Sequence, residues 1–163
     1  MKVCYADNSS PSTHDLDAIF LAGPTPRSRE VMSWRPAALS HLIDMGYDGT
    51  IFVPERADWT AHFEYDHQTE WEYANLLHSR VIVFWVAREM KEMPALTTNV
   101  EFGYWLARRP GQVIYGRPDW AVKTKYLDWL YQKHVHMATG YTPPISDTLS
   151  ETLRRAVELT QIL

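Results

Sequence analysis

Val81-Ile82-Val83-Phe84-Trp85-Val86 is six apolar residues in a row with no polar alternation. Such a run predicts a strand covered on both faces, as in the interior of a parallel sheet. It is far too short to cross a bilayer, which needs about 20 apolar residues. Ala18-Ile19-Phe20-Leu21-Ala22 is a second buried-strand run, stopped by the turn Gly23-Pro24-Thr25-Pro26. Residues 50–53 are closed by Pro54, and residues 112–115 and a short N-terminal run over 2–5 read the same way. Residues 135–138 read as one more strand, the fifth counted from Ala18.

Helical periodicity fills the gaps between these strands. Residues 34–45 place Leu39, Leu42 and Ile43 on one face, with Pro36 in the first turn and Gly46 at the end. Residues 66–78 repeat Trp71, Ala74, Asn75 and His78 at i, i+3, i+4 and i+7. Further helices are predicted over 98–107, over 123–134 with Tyr126, Leu127, Leu130 and Tyr131 on a stripe, and over 146–162. Strands alternating with helices imply βαβ crossovers, a parallel sheet and helices on both of its faces. No repeat, low-complexity tract or linker divides the chain, so residues 1–163 read as one domain.

Composition narrows the function. The formal charge of −4 and the lack of a basic run disfavour binding to nucleic acid through its phosphates. A single cysteine, Cys4, rules out a disulfide within the chain and suits a reducing cytoplasm. The polar N-terminal stretch has no apolar signal-peptide core, and no membrane partner is expected. Seven Trp and nine Tyr could serve both a core and a site that stacks a flat ring. His62 and His67, or His134 and His136, lack metal-ligand spacing, so neither a metal nor a cofactor is expected.

Three segments can carry chemistry. The turn Gly23-Pro24-Thr25-Pro26-Arg27 lets a ligand approach the backbone, and Arg27 or Arg29 could meet a phosphate or hydroxyl. It has neither a GxGxxG fingerprint nor a GK[ST] ending, and a tight turn with an exposed arginine is the plainer alternative. In the second segment, residues 65–72, Gln68 could read a nucleobase edge, Glu70 could share a proton and Trp71 could stack. There, Asp66 and Glu70 serve equally well as helix-start residues and Trp71 as core. The third is Thr97-Thr98-Asn99-Val100-Glu101-Phe102-Gly103. Thr98-x-x-Glu101 matches a capping box, while Glu101 just past the third long strand also suits a nucleophile. A carboxylate held at a helix N-terminus is expected to stay ionised.

In order and spacing, Ile19-Phe20-Leu21-Ala22-Gly23-Pro24, Gln68-x-x-Trp71, residues 81–86 and Asn99-Val100-Glu101-Phe102-Gly103 resemble the nucleoside 2-deoxyribosyltransferase-like family. The resemblance runs from about Ile19 to Tyr115. It implies a flavodoxin-like (Rossmann-like) three-layer sandwich with a five-stranded parallel sheet. It implies cleavage of the N-glycosidic bond of a nucleoside or nucleotide, with a free nucleobase as the second partner. Glu101 falls on the nucleophilic glutamate, with Glu70 assigned the proton or hydrogen-bond role. Gly23, Pro24, Thr25 and Arg27 fall at the sugar site, and Gln68, Trp71 and Asn99 near the base. It also implies a homodimer or larger homo-oligomer in which a neighbouring chain completes the pocket. Where the best-known members carry an aspartate six residues before the nucleophile, this chain has Ala95, with Thr97, Thr98 and Asn99 as the nearby polar groups.

Three functions follow as alternatives. The first is transfer of a 2-deoxyribosyl group between bases, and the second is hydrolysis to free base. The third is a non-catalytic sensor of a nucleotide-like ligand, which would not need Glu101.

Overall fold

A computed structural model describes residues 1–6, 17–28, 30–57 and 65–163. Arg29, His62 and the loop around Asn8 to Ser12 lie outside the described residues.

Five strands form one parallel sheet: β1 (Lys2–Tyr5), β2 (Ala18–Ala22), β3 (Thr50–Val53), β4 (Val81–Trp85) and β5 (Val113–Gly116). Their spatial order is β1-β3-β2-β4-β5, a flavodoxin-like arrangement. The register pairs Phe20 with Phe52 on one side and with Ile82 on the other. Among the described residues five α-helices flank the sheet: α1 (Arg35–Asp44), α2 (Tyr65–His78), α3 (Leu96–Arg108), α4 (Lys125–Thr139) and α5 (Leu149–Ile162).

Crossover handedness explains the layers. Right-handed βαβ connections put a helix on one face when the chain moves one way along the sheet, and on the other face when it moves back. From β2 the chain steps outward through α1 to β3, then returns through α2 to β4 and continues through α3 to β5. Accordingly Ile19, Leu21, Ile51 and Val83 pack with Ala38 and Leu42 of α1 and Leu153 and Ala156 of α5. Phe20, Phe52, Ile82, Phe84 and Tyr115 pack on the opposite face with α2, α3 and α4. Every residue of β2 to β5 is buried, which accounts for their largely apolar sequences without polar alternation.

Two sequence expectations are corrected. Residues 135–138 are the last turns of α4, not a strand. Val135 continues the spacing of Leu127 and Tyr131 onto the core, and that four-residue helical period outweighs a short β-like run. The strand that completes the five is Lys2–Tyr5, at the sheet edge beside β3. The second correction concerns α3, which begins at Leu96 after Ala95 rather than at Thr98. Among the described residues no helix is long and apolar enough to cross a membrane.

Candidate active site

The chain reverses direction between β2 and β4, and a sheet with such a switch point opens a crevice at the carboxyl ends of its strands. A cavity of about 690 Å³ lies there, between the turn after β2 and the facing sides of α2 and α3. Its size is within the range of small-molecule sites.

The turn forms one wall. Gly23 has φ +147°, and a Cβ there would collide with the Trp85 carbonyl oxygen, so only glycine fits. Beneath the turn lies Arg35, the first residue of α1 and only 1 % exposed. Its guanidinium donates to the carbonyls of Leu21 (3.0 Å), Gly23 (2.9 Å) and Pro24 (3.4 Å), to Thr25 Oγ1 (3.0 Å) and to Glu55 Oε1 (2.6 Å). Trp34 Nε1 also donates to the Pro24 carbonyl at 3.0 Å, and the Trp34 ring stacks under the guanidinium, 4.8 Å from its centroid. Ser33 Oγ donates to Glu55 Oε1 at 2.7 Å. Burial pushes Arg35 down from the ordinary arginine value, and the charge and hydrogen bond of Glu55 oppose that shift.

Helices α2 and α3 form the other wall. Tyr65, Gln68, Thr69, Glu72, Tyr73 and Leu76 of α2 face the cavity. Across it, Thr97, Thr98, Glu101, Tyr104 and Trp105 come from α3, at the i−4, i−3, i+3 and i+4 positions around Glu101. Gln68 Nε2 donates to Glu72 Oε1 at 2.5 Å.

Glu101 and Glu72 are therefore two half-buried carboxyls on facing helices of one cavity. Burial pushes Glu101 up to about 7, the charge of Glu72 adds to the rise, and Arg35 opposes it. Glu72 is also raised by burial, against the opposing effects of the Gln68 hydrogen bond and Arg35. The expectation of an always-ionised Glu101 is thus corrected. Because α3 starts at Leu96, Glu101 sits in the second helical turn, where the terminal dipole has faded and desolvation dominates. The capping box is absent for the same reason. The N-cap is Ala95, with no side-chain cap, and Thr98 is buried inside the first turn. Ala95 holds the left-handed conformation at φ 55°, at a cost of about 1 kcal/mol for a residue with a Cβ.

The other expected residues divide. Gly23, Pro24, Thr25, Arg27, Gln68 and Glu101 all line the cavity. Arg27 is exposed, and its backbone N–H donates to the Glu92 carbonyl at 3.0 Å, tying the turn to the β4–α3 connection. Glu70 is exposed on α2 and lies outside the lining, where Glu72 is found instead. Trp71 is core, edge-on to Phe52 and tilted against Phe20. Asn99 is turned away from the cavity lining and accepts a hydrogen bond from Arg88, which also donates to the Lys123 carbonyl at 2.8 Å. Sequence reasoning missed Arg35, Glu55 and the role of Glu72. For Glu72 a signal existed: Gln68, Glu72 and Leu76 recur every four residues and share a helix face. Among the described residues, no cluster of three or more His, Cys, Asp or Glu is placed to hold a metal ion.

No curated protein matches the chain. A family model described as "Nucleoside 2-deoxyribosyltransferase like" matches residues 17–120, from the start of β2 to just past β5.

Proposed function

The chain belongs to the nucleoside 2-deoxyribosyltransferase-like family, and from that premise we propose that it cleaves the N-glycosidic bond of a (deoxy)nucleoside or nucleotide and passes the 2-deoxyribosyl group to another nucleobase. The observation that carries this reading is the pair of half-buried carboxyls, Glu101 and Glu72, on facing helices of one cavity, both raised by desolvation.

Breaking the bond at C1′ develops positive charge on the sugar. The Glu101 carboxylate attacks C1′ and forms a covalent ester as the carbon–nitrogen bond breaks. The bonding electrons leave with the base, which takes a proton or a strong hydrogen bond from Glu72. A second base then attacks C1′ through its nitrogen, returns its proton to Glu72 and releases the Glu101 carboxylate. Water in place of the second base gives free sugar. The role assigned to Glu70 from sequence goes to Glu72, because a proton donor must be within hydrogen-bond reach of the leaving group. Gln68 sits beside Glu72 to bind a base edge, while Gly23, Pro24 and Thr25 line the sugar side.

A binding-only sensor gives no reason for two partly desolvated carboxyls to share one cavity, an arrangement that costs stability. Hydrolysis of a nucleotide keeps one specific support. Arg27 reaches the cavity with its charge exposed, where a 5′-phosphate could meet it.

The apolar rim fits a homo-oligomer. Tyr65 on α2 and Leu96 and Val100 on α3 are exposed beside the cavity, and a second copy of the chain covering them would finish its wall.

The test is incubation with a deoxynucleoside and a different free base, followed by chromatography. A swapped nucleoside supports transfer, and free sugar with no swapped product assigns hydrolysis. If neither forms across deoxynucleosides, ribonucleosides and their 5′-monophosphates, the glycosidic reading fails.

A further inference from the structure

Arg35 is the most fully engaged side chain around the cavity, yet it belongs to the other layer of the sandwich. Its helix, α1, packs with α5 on the face of the sheet opposite α2 and α3. From there the guanidinium reaches the carboxyl end of β2 and occupies three successive acceptors of the turn: the carbonyls of Gly23 and Pro24 and the hydroxyl oxygen of Thr25.

We propose that Arg35 is a positioning residue for the reaction. It locks the Gly23–Pro24–Thr25 turn, makes the Thr25 hydroxyl a donor toward the ligand, and sets a fixed positive charge behind the Glu72 and Glu101 carboxylates.

The Thr25 argument is one of lone pairs and protons. Oγ1 accepts from Arg35 Nη1 at 3.0 Å, so the hydroxyl proton points elsewhere, and Thr25 lines the cavity. The Pro24 carbonyl is occupied by both Trp34 Nε1 and Arg35. With that acceptor taken and no N–H on proline, the Thr25 hydroxyl is left as a donor of the turn, which suits an acceptor atom on the ligand. Under the proposed glycosidic reading, on which this step rests, that atom is an oxygen of the sugar.

The positive charge of Arg35 is fixed in place. Five acceptors hold the guanidinium, and arginine does not lose its proton in proteins. Among the described residues, the charged groups that line the cavity with Glu101 are Glu72 of α2, Arg35 of α1 with Glu55 paired to it, and Arg27 of the turn. The hydroxyls of Tyr65, Tyr73 and Tyr104 also border the cavity. Arg35 opposes the rise of both carboxyls, and Glu55 anchors it without lining the cavity.

The experiment titrates the glutamate side chains of the whole protein, carrying ¹³C at the carboxyl, by NMR, with the Glu101 signal assigned through its loss in Glu101→Gln. The informative variant is the double substitution Arg35→Met with Glu55→Leu, which removes the pair without stranding one charge. The Glu101 midpoint should rise by about one pH unit. Arg35→Lys, which keeps the charge and loses the planar fork, should leave the midpoint near that of the wild type. It should also raise the KM for the deoxynucleoside about tenfold, as should Thr25→Val, for one lost hydrogen bond. A purely structural Arg35 would lower the melting temperature of the double variant without moving the midpoint, and that result overturns the proposal. If the double variant does not fold, Arg35→Lys and Thr25→Val decide, and a wild-type KM in both overturns it. The titration needs no turnover. A wild-type protein that cleaves no nucleoside, with a midpoint that still moves in the double variant, loses the glycosidic reading and keeps the Arg35 charge. Normal turnover with an unmoved midpoint does the reverse.

Discussion

Two pairs of charged side chains meet at the walls of one cavity, one buried and one half-buried, and they are built in opposite ways. Arg35 and Glu55 carry opposite charges in contact at 2.6 Å, with Ser33, Thr25 and three backbone carbonyls engaging the pair. Glu72 and Glu101 carry like charges on facing helices, with Gln68 bonded to one of them and open space between. In the first pair the opposite charge and the hydrogen bonds work against desolvation, which still lowers Arg35. In the second, the like charge of Glu72 adds to the desolvation of Glu101, and both carboxyls are raised. Burial of charge alone therefore does not mark a site. What separates scaffold from site is whether the surroundings complete the hydrogen bonding or leave it for a ligand.

The comparison breaks most sharply at Glu101. Glu101→Gln should cut turnover on the order of 1,000-fold or more while the protein stays folded, measured as kcat/KM alongside circular dichroism. Retained turnover would place Glu101 with the scaffold. Next comes the ion pair. Arg35→Met alone should destabilise by about 3–5 kcal/mol in urea unfolding, because it leaves Glu55 buried and unpaired, and adding Glu55→Leu should recover most of that loss. A single variant as stable as the wild type would show that the pair anchors nothing.

The third effect is a pH dependence. The folded pKa of Glu101, about 7, lies above its ordinary value of 4.5. Its contribution to stability is then complete below about pH 4.5 and is lost as pH rises through about 7. Glu101→Gln removes that loss, so the variant should gain about 3 kcal/mol over the wild type between pH 4.5 and pH 8. Thermal melts at the two pH values check this, and a constant difference would mean that Glu101 is well solvated. Turnover of the wild type should rise with pH through the same window, since the nucleophile must be ionised. The smallest effect belongs to Glu70. Glu70→Gln should change kcat/KM less than about twofold, whereas Glu72→Gln should lower it about 10–100-fold. The opposite order would return the proton role to Glu70.

Much of this was legible in the chain. Two all-apolar runs, two shorter runs led by Thr50 and Gln112, and the helical stripes between them specified a parallel α/β sheet, because strands covered on both faces need no polar alternation. Residues 135–138 misled because four residues are too few to reveal a period, and the connection back to Leu127 and Tyr131 was overlooked. Glu101 was legible from its place after β4. Its ionisation was not, since that depends on Glu72, 29 positions earlier in sequence, and on burial. Arg35 was illegible for a similar reason. Its acceptors are mostly backbone carbonyls of a separate turn, and no residue type announces a carbonyl. Beside Trp34 and Pro36 it reads as an ordinary helix-start arginine.

Gly23 has a consequence for how such a site can diversify. Because a side chain there would strike the Trp85 carbonyl, the gap between the two central strands is fixed at the mouth of the crevice. Arg35 clamps the residues that follow. One wall of the cavity is therefore a fixed gauge. The facing wall is presented by helical side chains such as Gln68, Thr97 and Thr98, which can be exchanged without moving the backbone. Ligand preference is free to drift on that wall, while the turn opposite keeps its geometry.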